Sequence, residues 1–230
     1  MKYRPTMRKL FICLANSRKY SGRCIAGVEL YHGADGRLRM VETEQHQPQW
    51  IRPISQSEFG ALDASDVRHI KLGDLVEVEI TEGVQHFNSY QTENVCFDEN
   101  SLRVVEKMLL SRERLQKLSI KQAIPLFGTR GCTLPMVKMN DLYASLTFIK
   151  VEKPHFHWRD GLANYRPQER LGFVYNNCNY DLALTDIEFI EKYQVNNAIL
   201  EEANEVYLTV SLSMPYENKL YKLAAGVFTV

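Results

Sequence analysis

Short segments with the pattern of β-strands, separated by turn residues, recur along the chain and limit its fold more than any other feature. The clearest covers residues 72–80, where Val76, Val78 and Ile80 alternate with Glu77 and Glu79. A period of two places the apolar side chains on one face of a strand. Further strand-like segments cover residues 9–14, 24–30, 38–41, 50–55, 142–151, 170–185, 205–213 and 219–230. This pattern predicts a mainly β fold of barrels or sandwiches.

Two segments have helical rather than strand periodicity. In residues 98–118, Asp98 or Ser101 is a candidate N-cap and apolar residues recur at helical spacing. Residues 185–193 are predicted to form a second, short helix with Thr185 or Asp186 as its cap. The first of these segments is predicted to be a spacer between two β units. We therefore predict an N-terminal barrel over residues 1–100, a helical spacer over residues 101–131 and a C-terminal barrel over residues 132–230.

Cysteine spacing and hydropathy exclude several protein classes. The five cysteines are scattered and form no Cys-x-x-Cys pair, which argues against a disulfide framework and a zinc ribbon. No apolar run approaches the roughly 18–20 residues of a membrane span. The segment LFICLA is too short for the apolar region of a secretory signal. The sequence predicts a cytoplasmic protein with no membrane partner.

Charge is balanced over the whole chain but unevenly distributed. Lysine and arginine together equal aspartate and glutamate, so the global basic excess of many nucleic-acid-binding proteins is missing. The first 28 residues nevertheless contain seven basic side chains and no acidic one. Residues 181–205 have the opposite bias. The asymmetry predicts a basic face near the N-terminus.

Five motifs, in order, resemble a known family over almost the whole chain. They are KLFICLANSRKYSGRCIAG, WIRPIS, YQTEN, YDLALTDIEF and YLTVSLSMPYENKLYKLAAGVF. They resemble the bacterial dual OB-fold (DuOB) domain family, described as nucleic-acid-binding or nucleic-acid-modification-associated proteins and often found beside phage-defence genes. The resemblance implies two OB-like small β-barrels joined by a helical segment. Residues 213–216 depart from the family pattern, which has a glycine near this point, and no catalytic residues are carried over.

Residues 16–23 form the first candidate binding segment, predicted as a basic loop between two strands. Its donors are Asn16, Ser17, Arg18, Lys19, Ser21, Gly22 and Arg23. Arginine offers a planar fork that matches phosphate oxygens, and the loop after the first strand is a usual binding loop of OB folds. The segment is interpreted either as a phosphate-binding loop or as a solvated hairpin.

Two further segments supply candidate residues. Trp50 offers a ring for base stacking and Arg52 a phosphate contact, although a tryptophan near a proline is also a common core residue. Residues 86–94 are either a polar pocket beside the basic loop or a loop that bonds to itself. The candidate side chains of this segment are His86, Tyr90, Gln91, Glu93 and Asn94.

Enzymatic and metal-binding patterns are weaker. Cys24 beside Arg23 is a candidate nucleophile with His86 as base, but the alternating apolar pattern favours a buried structural thiol. His155 and His157 share a strand face, which suits two metal ligands or an aromatic surface with Tyr165. No third ligand has matching spacing, so we predict no metal. No nucleotide-binding loop, nucleophile elbow or dinucleotide fingerprint is present, so we predict no cofactor.

The leading prediction is a protein that binds single-stranded nucleic acid or a nucleotide, with a bacterial phage-defence or nucleic-acid-modification system as its setting. The first alternative is an enzyme acting on nucleic acid or nucleotides. Its active site would comprise Asn16, Arg18, Arg52, His86 and Glu93. The second alternative is a protein-interaction module of a defence complex.

Overall fold

The computed structural model describes residues 7–57, 59–81, 90–121, 124–161 and 167–230. The chain divides between Leu110 and Ser111 into two compact units. The strands are β1 (Met7–Lys19), β2 (Gly22–His32), β3 (Leu38–Met40), β4 (Trp50–Pro53), β5 (Asp74–Ile80), β6 (Asn94–Val95), β7 (Arg103–Lys107), β8 (Thr133–Pro135), β9 (Leu146–Arg159), β10 (Gln168–Tyr175), β11 (Cys178–Leu184), β12 (Val206–Leu212) and β13 (Lys219–Thr229). The helices are α1 (Ala64–Val67), α2 (Arg112–Leu118), α3 (Ile187–Val195) and α4 (Ile199–Glu202), with 3₁₀ turns at Leu126–Gly128 and Met136–Asp141. Among the described residues, none of these helices is long and apolar enough to span a membrane.

The first unit is a curled sheet in which β1 pairs antiparallel with β2 and β5. Strand β2 pairs with β4, and β4 pairs in parallel with β6. The segment after β6 is hydrogen-bonded to the end of β5. Thr81 N–H donates to Cys96 O and Asp98 N–H donates to Glu79 O, each at 3.0 Å. Each of the strands β1, β2, β4, β6 and β5 therefore neighbours the next, and β5 pairs in turn with β1. Helix α1 lies between β4 and β5 in the sequence.

The second unit repeats this order. Strand β9 pairs antiparallel with β10 and β12, and β10 pairs with β11. Strand β13 pairs antiparallel with β12 and in parallel with β11, which closes a five-stranded barrel. Helices α3 and α4 lie between β11 and β12 in sequence. The predicted fold, mainly β with two OB-like barrels, is confirmed.

Each barrel has its own apolar core. In the first, Phe11, Ile25, Ile51 and Val76 are buried together. The second core contains Ile149, Val151, Leu171, Phe173, Tyr180, Leu182, Leu184, Phe189, Val206, Leu208 and Val210, among others. Fully burying one large apolar side chain stabilises the fold by about 1.5–3 kcal/mol, so each core contributes strongly to the stability of its own barrel.

Two local predictions are wrong. Residues 103–107 form strand β7 rather than the first half of a helix, and β7 pairs with β5. Val104 packs on the first core, and β-branched residues suit a half-buried strand. The helix is limited to α2, which Ser111 caps by accepting a bond from Arg114 N–H. The predicted loop over residues 16–23 is instead the end of a hairpin, since β1 and β2 leave only Tyr20 and Ser21 as the turn.

Candidate functional site

The end of the β1–β2 hairpin brings the predicted basic residues together in pairs. Arg18 lies directly opposite Arg23, and Lys19 lies opposite Gly22. Residues directly opposite each other in an antiparallel pair project their side chains to the same face, and like charges in that position repel. The hairpin end therefore holds two neighbouring guanidinium groups on one face.

The inner residues of the same segment support the barrel. The Asn16 Nδ2 amide donates to Val67 O at 3.1 Å and to Ile70 O at 2.8 Å, at the end of α1. Ser17 is buried. Within the described part of the chain, the buried Oδ1 atom of Asn16 accepts no hydrogen bond. Asn16 thus joins the hairpin to the segment that leads from α1 into β5.

An aromatic pair that sequence reasoning missed lies at the hairpin turn. The Tyr20 ring stacks on the Phe59 ring, with centroids 4.1 Å apart and planes 22° apart. Tyr20 remains 58% exposed, and its φ is 51°. A left-handed φ is unusual for a bulky residue. The only sequence signal was a tyrosine in the turn between Lys19 and Ser21, and the spacing did not indicate its partner.

The motifs WIRP and YQTEN meet through a buried ion pair. Arg52 Nη2 lies 2.8 Å from Glu93 Oε1, with 2% and 1% of the two side chains exposed. The Arg52 N–H donates to Glu93 O at 2.9 Å. Nearby, Asn94 Nδ2 donates to Gln91 Oε1 at 3.2 Å. Glu93 therefore already pairs with the Nη2 atom of the Arg52 guanidinium, and burial keeps this group away from solvent.

Lys19 and Tyr90 share the electrostatic environment of this pair. Burial lowers the pKa of Lys19, and the positive charge of Arg52 lowers it further, while Cys24 and Glu93 raise it. Burial is also the main cause that raises the pKa of Tyr90, with Arg52 acting in the opposite direction. The end of β1 is thus electrically coupled to the buried Arg52–Glu93 pair.

The remaining predicted residues differ in accessibility. Trp50 is only 2% exposed, so a base cannot stack on its ring in this conformation. Cys24 is half-buried and lies opposite Ser17, on the face that does not carry the core residue Ile25. His86 and Tyr165 lie outside the described residues.

The second barrel places His155 and His157 on one face of β9, as their spacing predicts. Their rings stack with centroids 5.6 Å apart and planes 23° apart. Across the described ranges, no group of three or more histidine, cysteine, aspartate or glutamate side chains has the geometry to hold a metal ion.

A cavity of about 410 Å³ also opens in the first unit. Its polar lining includes Ser21, Ser55, Ser57, Asp63, Asp66 and Glu99. Three carboxylates around one cavity repel a phosphate. A phosphate therefore fits the guanidinium face of the hairpin better than this cavity.

Comparison with protein-family models agrees with the architecture. A family model described as "Dual OB-containing domain" matches residues 9–227. None of the curated proteins compared with the sequence matches it.

Two solved structures are similar at low identity. One is described as "Crystal structure of Ifi202 HINa domain in complex with 20bp dsDNA", with 8% identity, a TM-score of 0.35, and 99% of this chain and 96% of that chain covered. The other is described as "Molecular basis for abrogation of activation of pro-inflammatory cytokines", with 9% identity, a TM-score of 0.32, and 100% and 96% covered. TM-scores this low support no conclusion about fold or ligand.

Proposed function

Because the chain belongs to the dual OB-containing domain family, we propose that it binds nucleic acid, as a single strand or a nucleotide, at the end of the β1–β2 hairpin. OB folds bind oligonucleotides with the face of their second and third strands and with the loop between the first two. The hairpin turn occupies that loop position in the first barrel. The observation that carries the proposal is the exposed Tyr20 ring, held by Phe59 beside the Arg18–Arg23 pair.

The two arginines supply the phosphate contact. Two cationic side chains on one face of the hairpin end attract an anion such as a phosphate. Among the described residues, Arg23 forms no ion pair. A guanidinium fork also gives two parallel hydrogen bonds to phosphate oxygens.

Tyr20 supplies the base contact. A residue in an unfavourable backbone region costs about 1–3 kcal/mol, and such residues concentrate at functional sites. The stack on Phe59 fixes the ring with one face against its partner, while more than half of the residue stays exposed. A base stacked on an aromatic side chain contributes about 1–3 kcal/mol with little sequence preference.

The cellular setting is part of the same proposal. The family resemblance supports a cytoplasmic protein of a bacterial phage-defence or nucleic-acid-modification system, with protein partners from that system. The enzyme alternative has less support from the geometry, because Asn16 is bonded to two backbone carbonyls and Arg52 to the buried Glu93.

Binding of a labelled single strand at several salt concentrations tests the proposal. The variant Arg18→Ala/Arg23→Ala should bind more weakly, and the log–log salt slope should become shallower by about 0.7 for each phosphate that the variant no longer neutralises. The matched control is Arg37→Ala/Arg39→Ala, which removes two guanidinium groups that neighbour Asp35. A flat salt slope for the wild-type protein, or equal behaviour of the two variants, contradicts the proposal.

Tyr20→Gly separates binding from folding. Glycine adopts a positive φ without steric cost, so the variant should be at least as stable as Tyr20→Ala in urea unfolding. Both variants should nevertheless lose about fivefold or more in affinity, because both lack the ring. Wild-type affinity in the stable glycine variant would remove Tyr20 from the site.

A further inference from the structure

A second cluster of aromatic and cationic side chains lies on the second barrel. We name it the histidine–arginine face and define it by His155, His157, Arg159, Arg170 and Asp181. The β9–β10 register places His157 opposite Arg170 and His155 opposite Gly172, and Gly172 in turn lies opposite Asp181 of β11. The intervening residues of β10 and β11 belong to the core. The histidine–arginine face is therefore the outer surface of three adjacent strands.

Gly172 sets the position of the first imidazole. A Cβ atom at residue 172 would lie 2.3 Å from Cε1 and Nε2 of His155, which is far inside contact distance. The absence of a side chain therefore lets the Cε1 and Nε2 atoms of the His155 ring lie close over Gly172 of β10. His157 continues the stack at 5.6 Å. The two rings form an ordered platform along β9.

Within the histidine–arginine face, one carboxylate is set against two guanidinium groups. The Asp181 carboxylate accepts hydrogen bonds from Arg159 Nη2 at 2.5 Å and Arg170 Nε at 3.1 Å, and His157 Nε2 lies 3.4 Å from it. One carboxylate thus faces two guanidinium groups. The Arg170 side chain is only 6% exposed and also bonds to Gln168 and to the Asp181 carbonyl, whereas 54% of the Arg159 side chain is exposed. Arg159 is the cation of this cluster that an external anion can reach.

We propose that the histidine–arginine face binds a single nucleic-acid strand, with bases on His155 and His157 and a phosphate on Arg159. The inference rests on the proposed function and extends it to a second site. Histidine is among the side chains on which unpaired bases stack, and arginine is the preferred phosphate fork. The three residues occupy every second position of β9, about 6.6 Å apart, so they suit a ligand that is extended along the strand.

Fluorescence anisotropy with a labelled oligothymidine of about 10 nucleotides, within the range of sites on one OB fold, tests the site. His155→Ala/His157→Ala should weaken binding about tenfold or more, because the bases no longer have rings to stack on. Arg159→Gln should make the salt slope shallower by about 0.7. The matched controls are His46→Ala/His69→Ala, which removes two exposed imidazoles of the first unit, and Lys219→Gln, which removes an exposed charge of the second. Both controls should bind as the wild type does.

Gly172→Ala tests the platform without removing an imidazole or a charge. The added methyl group must displace the His155 ring, so the variant should reproduce the loss of affinity of His155→Ala. If substitutions on this face unfold the second barrel, the inference can be tested on the wild-type protein by NMR. Bases bound on His155 and His157 should shift the signals of their rings. Unmoved ring signals at saturating oligothymidine overturn the inference.

The two proposals fail in different ways. Wild-type affinity in His155→Ala/His157→Ala, together with weak binding by Arg18→Ala/Arg23→Ala, overturns the second site and leaves the first. The opposite result supports the second site and removes the first. A wild-type protein that binds no single strand at low salt overturns both.

Discussion

The buried Arg52–Glu93 pair allows a prediction that separates a structural from a ligand-binding role. Both side chains are at most 2% exposed, and Arg52 Nη2 lies 2.8 Å from Glu93 Oε1. Removing one member of such a pair leaves a buried charge and typically costs about 3–5 kcal/mol. A protein has only about 5–15 kcal/mol of stability in total, so each single substitution should be severe.

The two single variants should not be equal, because Lys19 lies in the same environment. Its pKa responds to both Arg52 and Glu93. In Arg52→Met the positive charge of Lys19 remains near the Glu93 carboxylate and partly compensates it, so we expect a loss near the lower end, about 3 kcal/mol. In Glu93→Leu two cations remain without the carboxylate, and we expect about 5 kcal/mol.

The double variant Arg52→Met/Glu93→Leu should recover most of the loss. Apolar replacement of both partners of a buried pair is often neutral or stabilising. The free energy of unfolding can be measured in urea through Trp50 fluorescence in a Trp158→Phe background, since the chain has two tryptophans. The double variant should also bind single strands as the wild type does, because the Arg52 side chain is only 2% exposed and is paired with Glu93.

Additive losses in the double variant would refute this reasoning, since they would mean that the pair contributes no interaction energy. A stable double variant with weakened binding would instead assign Arg52 to the ligand. In that case the hairpin site would extend to the buried pair.

Two buried titratable groups of the second barrel predict opposite pH dependences. Burial raises the pKa of Asp186 to about 6, although Phe189 N–H and Val227 N–H donate to its carboxylate. The folded state therefore holds this proton more tightly than the unfolded state, and stability should fall by about 3 kcal/mol as the pH rises from about 4 to 6. Asp186→Asn should remove this slope in urea unfolding, and an unchanged slope would contradict the assignment. Burial lowers the pKa of Lys222 to about 8, so stability should rise by about 3 kcal/mol between about pH 8 and 10.5. Lys222→Met should show no such rise, and a rise retained in that variant would exclude Lys222 as its source.

The barrels could be predicted because their strands carry local signals. Alternation in β5 and the turn residues between β10 and β11 each indicate a strand without reference to the rest of the chain. Strand β7 was missed because apolar residues around it also recur at helical spacing. Its pairing with β5 stabilises the strand over the helix. That pairing is a tertiary contact, which the local sequence does not indicate.

The candidate site could be predicted only in part, for the same reason. The concentration of basic residues before Glu29 located the hairpin. Because residues 16–23 were predicted as a loop, the sequence did not show that Arg18 lies opposite Arg23, which depends on the register of β1 and β2. The Tyr20–Phe59 stack joins two distant segments. No periodicity within either segment indicates such a contact.

The two barrels share a topology but place different chemistry beside the connection between their first two strands. In the first, Arg18 faces Arg23 next to a two-residue turn. In the second, Arg159 is the last residue of β9 and faces Gln168, the first of β10. Each barrel therefore has an arginine at or next to the end of its first strand, near the loop that OB folds use for binding. In the first barrel the neighbouring ring is the tyrosine of the turn, whereas in the second the rings are imidazoles along the strand. A shared cation with different aromatic partners is the arrangement expected if both barrels contact phosphate and each stacks bases in its own way.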